Sequence, residues 1–72
     1  MDLQKLKSAL PQGAINTIAE REGVVLSTVH NAFNPNKKQT AKHLSIINTA
    51  IEYLKEFRQK QADTEKAFQE VI

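Results

Sequence analysis

The residues with chemistry to offer are few and unevenly placed. Ser27 and His30 would fall on neighbouring turns of a helix, setting a hydroxyl near an imidazole, but residues 24–50 contain no carboxylate to orient that ring. There is no cysteine nucleophile, no glycine-rich phosphate loop and no pair of carboxylates on a predicted cleft. No catalytic residue is therefore expected, and the chain does not read as an enzyme. His30 and His43 are the only imidazoles and stand far apart, so neither a metal site nor a cofactor is expected. What remains is binding chemistry. Lys37, Lys38 and Lys42 are the only charged side chains in residues 24–50, and a surface that holds a polyanion needs such a local excess. These lysines are candidate phosphate neutralisers, although a basic loop can equally be an ordinary solvated loop. Thr28 and His30 are candidate phosphate contacts. Asn16 and Thr17, close to a predicted helix start, offer side-chain and backbone donors to phosphate.

Those residues need elements to position them, and the chain has little material for that. Seventy-two residues make one small domain with a marginal core. Without cysteine, the routes to stability are close helix packing and self-association. No run approaches a membrane span and no signal-peptide pattern is seen, so no membrane partner and a cytoplasmic setting are expected. Leu3, Leu6 and Leu10 form an amphipathic stripe over residues 2–10, which Pro11 and Gly13 stop. Residues 14–22 predict a second helix with Ile15, Ile18 and Ala19 on one side, ended by Gly23 as a left-handed residue. Val24, Val25 and Leu26 have strand propensity, but no second alternating run exists to pair with them. A turn into a third helix through Phe33 fits better. Asn34-Pro35-Asn36 then breaks the chain. From a capping Thr40, a last helix runs almost to the end, with Leu44, Ile47, Ile51, Leu54 and Phe57 as its apolar face. Leu6, Leu10, Phe33, Leu44, Ile47 and Ile51 read as core.

Within residues 15–34, INTIAEREGVVLSTVHNAFN, a small residue at Ala19, a turn glycine at Gly23 and apolar positions at Ile18, Val24 and Val29 are spaced as in a helix-turn-helix. The segment resembles the DNA-binding headpiece of the lactose-repressor family. Thr40-Ala41-Lys42 with Ile47, Ala50, Ile51 and Leu54 is similar to that headpiece's third helix, so the likeness spans about residues 15–54. It implies an all-α, lambda-repressor-like domain of four helices with an extended last helix. An extra helix precedes the motif, and the family's hinge helix and sugar-binding domain are absent. Val25 stands where the family usually places a capping serine, and Ser27 could cap the recognition helix instead.

By that resemblance Leu26, Ser27 and Asn31 fall on base-reading positions, and Asn34 lies beside the recognition helix as a further phosphate contact. Their chemistry suits this: an Asn amide bonds adenine bidentately, Ser donates or accepts, and Leu meets a thymine methyl. Bland roles stay open: Leu26 as core, Ser27 as a cap and Asn31 as surface.

Ile47, Ala50, Leu54, Phe57, Gln61, Thr64, Phe68 and Val71 alternate by three and four, the seam of a heptad repeat that is weak at Gln61 and Thr64. A core this small cannot cover the far end of that helix. Phe68, Val71 and Ile72 need a second chain, a fold-back onto Leu3 and Leu6, or disorder. A homodimer through Leu54, Phe57, Phe68 and Val71 is the expected solution. The expectation is thus a DNA-binding domain over residues 1–57 and a dimerisation extension over 58–72. Together they imply sequence-specific binding of double-stranded DNA through the major groove, by a repressor-like regulator at the nucleoid without a ligand domain or small-molecule effector. A protein-interaction module and an architectural or recombination accessory factor of a mobile element are the alternatives.

Overall fold

Local chemistry sets where each helix begins and ends. In the computed structural model, which describes residues 2–72, α1 spans Leu3–Ala9. The Asp2 side chain caps it by accepting the Lys5 N–H at 3.0 Å. Leu3 is buried, and Leu6 and Leu10 pack against the core, so the predicted stripe faces inward. The following helix, α2, spans Ala14–Glu22 and enters through Gly13 in a left-handed conformation. It leaves through Gly23, also left-handed at φ 65°. There the Val24 N–H donates to the Ala19 carbonyl at 3.0 Å and the Gly23 N–H to the Glu20 carbonyl at 3.3 Å. These are the two bonds of a Schellman cap.

Next comes α3, spanning Leu26–Ala32. Val25 precedes it in an extended conformation, and its carbonyl accepts the Thr28 and Val29 N–H groups at 3.1 and 3.4 Å. Ser27 does not cap this helix. It lies inside it, one residue past the start, so its hydroxyl stands on the outer surface. The helix stops at Ala32, leaving Phe33 as the C-terminal cap residue rather than a helical one. The last and longest helix, α4, spans Ala41–Val71 and begins where the Thr40 hydroxyl accepts the His43 N–H at 3.2 Å. The described residues contain four helices and no strand.

The core forms where α2 and α3 cross α4. Phe33, Ile18, Ile46 and Val29 are its largest fully buried side chains, with Ala14, Ala19, Ala32 and Ala50 filling the close approaches between them. Gln4 ties α1 to the end of α3, its amide donating to the Phe33 carbonyl at 3.4 Å.

Leu44, expected in the core, is 46% exposed, and Ile46 is buried in its place. The segment carries two overlapping three-and-four patterns, 44-47-51-54 and 46-50-53-57. The buried set Ile46, Ile47 and Ala50 centres near Ala50, and 3.6 residues per turn rotate Leu44 roughly 120° away from it. The far end of α4 neither folds back nor frays: it stays helical to Val71, with every residue beyond Leu54 exposed. This gives a molecule 49 × 24 × 17 Å in extent. Among the described residues, no helix is long and apolar enough to cross a membrane.

Candidate nucleic-acid interface

The chain presents one face of α3 outward by fixing the opposite face. Val29 and Ala32 are buried against α2 and α4, and Phe33 closes the helix end. Residues 27, 30 and 31 fall on the other side, because positions three and four apart share a face, while Leu26, three residues before Val29, is exposed because it stands at the open first turn. Ser27, His30 and Asn31 are all exposed there, and Thr28 is half-buried at the flank. At 45% exposure Leu26 is a surface residue, not a core one. The Gly23 turn and the short segment through Val25 hold this face in front of α2.

Around it the predicted phosphate contacts divide into free and engaged. Lys37 and Lys38 are exposed on the loop between α3 and α4. Asn34 shapes that loop: its Oδ1 accepts the Asn36 N–H at 2.9 Å, while its carbonyl accepts the Lys37 N–H at 3.1 Å. Lys42, at the start of α4, turns instead to α2, where its Nζ donates to the Glu22 carbonyl at 3.1 Å. A cation there meets the negative end of the α2 dipole, so Lys42 is a structural tie between helices. Thr17 is similarly spent, its hydroxyl donating to the Gly13 carbonyl at 3.3 Å and its N–H to the same oxygen at 3.2 Å. Asn16, one residue earlier, is exposed.

Two residues enter the surface that sequence reasoning did not assign to it. Gln4 and Lys7 of α1 line the same shallow cleft as His30, Asn31 and Asn34. Lys7 therefore adds a cation beside the outer face of α3. The α1 stripe predicted which side of that helix packs inward, but where the packed helix lies relative to α3 is a tertiary fact. The dimerisation candidates sit apart from this surface. Leu54 is half-buried at the edge of the core, Phe57 emerges from it, and Phe68 and Val71 are 63% and 83% exposed.

The chain matches no family model, no curated protein and no solved structure.

Proposed function

We propose that the chain binds double-stranded DNA, with α2 and α3 acting as a helix-turn-helix of the lambda-repressor-like kind and α3 lying in the major groove. One observation carries the reading: α3 is clamped by its apolar side and offers Ser27, His30 and Asn31 on the other, with Leu26 exposed at its first turn, in a stretch without a single acid. The resemblance of residues 15–54 to the lactose-repressor headpiece supports it. In this arrangement Asn31 bonds an adenine edge, Ser27 takes a second polar contact and Leu26 covers a thymine methyl. Lys37 and Lys38 neutralise phosphates on one side and Lys7 on the other, with Asn16, Thr28, His30 and Asn34 as neutral backbone contacts. A protein that occupies an operator in this way acts as a repressor-like regulator at the nucleoid.

Selection of preferred duplexes from a random pool tests the proposal. On the selected site Asn31→Ala is expected to cost about 1–3 kcal/mol, with little loss on random duplex. Failure to enrich any sequence, or equal weakening on both kinds of DNA, would remove Asn31 from base reading.

A second reading draws on Val25, 66% exposed beside Leu26, which together make a small apolar surface suited to docking a protein. An absence of any binding to duplex at low salt would favour it.

A further inference from the structure

The same side of α4 that rests on the core near Ile46 and Ala50 continues past Leu54 as a bare stripe of Phe57, Gln61, Thr64, Phe68 and Val71. Arg21 and Glu56, paired at 2.9 Å, mark where the other helices stop supporting it. The remaining fifteen or so residues are all exposed, a length of helix that is marginal in isolation.

From this we infer that α4 pairs with α4 of a second copy, antiparallel, in the register that sets Leu54 against Val71, Phe57 against Phe68, and Gln61 against Thr64.

Sterics decide the direction first. On the stripe side, α2 and α3 already cover α4 above Leu54. Parallel pairing would bring two such heads into the one gap between helices whose axes lie only about 8–10 Å apart. Antiparallel pairing puts the heads at opposite ends, and each partner helix ends at Val71 where the other's head begins.

Charge points the same way. The near half of the free helix carries Lys55, Arg58 and Lys60 against Glu56, and the far half Asp63, Glu65 and Glu70 against Lys66. Antiparallel pairing lays the cationic half of each copy along the anionic half of the other, and opposes the helix dipoles favourably. Arg58 flanks the seam opposite Glu65 of the second copy, and the contact occurs twice by symmetry. Gln61 and Thr64, the weak layer in the heptad pattern, face each other near the two-fold axis. There a polar pair fixes register at some cost in stability.

The pairing does not rest on the DNA reading, and its test omits DNA. Sedimentation equilibrium of the full chain is expected to show a dimer in the micromolar range. Arg58→Glu and Glu65→Arg should each weaken it by about tenfold, since each places like charges together at both symmetric contacts. The double variant Arg58→Glu/Glu65→Arg should recover wild-type association, whereas Lys60→Glu, which would face Glu65 directly only in a parallel pair, should weaken it less than either single variant. Both residues of the tested pair lie beyond the core, so circular dichroism should show the helices of the head retained in every variant. The cysteine-free chain adds a direct check of direction. Val71→Cys should not cross-link to itself under oxidation, because the two copies of that position lie about 25 Å apart along the axis at ~1.5 Å per residue. A wild-type monomer at high micromolar concentration, a double variant no better than the singles, or rapid Val71→Cys self-cross-linking would each overturn the proposal.

Discussion

At the scale of single residues, the turn between α2 and α3 depends on Gly23. At φ 65° its backbone is left-handed, yet an added Cβ would meet no atom within 4 Å. Gly23→Ala therefore costs only the backbone term, roughly 1–2 kcal/mol. Thermal unfolding should show the midpoint falling by about 4–8 °C for each kcal/mol in a domain of this size. Gly23→Asn should recover part of the loss, since Asn tolerates this conformation better. An unchanged midpoint for Gly23→Ala would mean that the turn relaxes to another geometry. Features of this kind are legible in a sequence because they are local: a glycine after an apolar pattern, a threonine before one, an aspartate opening α1. The roles of Thr17 and Lys42 are not legible in the same way. Each side chain is captured by a carbonyl, of Gly13 and Glu22 respectively, whose position depends on the packed helices.

At the scale of elements, existence and extent were readable for all four helices, because Pro11, Gly13, Gly23 and Pro35 punctuate the pattern and nothing interrupts it after Thr40. Orientation was harder for α4. Two apolar patterns overlap over residues 44–57, and only contact with Ile18, Val29 and Phe33 selects the one centred on Ala50. The consequence is measurable. Ile46→Ala should cost about 2–5 kcal/mol, enough to unfold much of a domain this small. Leu44→Ala should stay within about 0.5 kcal/mol of wild type, as a surface change does. Urea titration of the two variants distinguishes the faces, and a large loss at Leu44 with a small one at Ile46 would reverse the assignment. For α3, the pattern correctly separated Val29 from the outward Ser27 and Asn31. It left Leu26 undecided, because a leucine at the first turn suits either side.

At the scale of the whole molecule, two surfaces are offered at different ends. The head displays the outer face of α3 with Lys7, Lys37 and Lys38 around it, and the free half of α4 displays an apolar seam between segregated charges. Where both proposals hold, the antiparallel pair sets the two copies of Ala50, the centre of the buried face of α4, about 38 Å apart along the helix at ~1.5 Å per residue. That is close to the ~34–36 Å between half-sites one helical turn apart. Binding of DNA by the head should show itself in the salt dependence of affinity. Fluorescence anisotropy of the full chain with a labelled duplex, repeated from low to moderate salt, should show affinity falling linearly on a log-log plot. Lys37→Ala/Lys38→Ala should flatten that slope by about 0.9 for each phosphate that the two lysines neutralise. A wild-type chain that fails to bind at low salt, or a slope that the lysine pair leaves unchanged, would contradict the placement of DNA on this face.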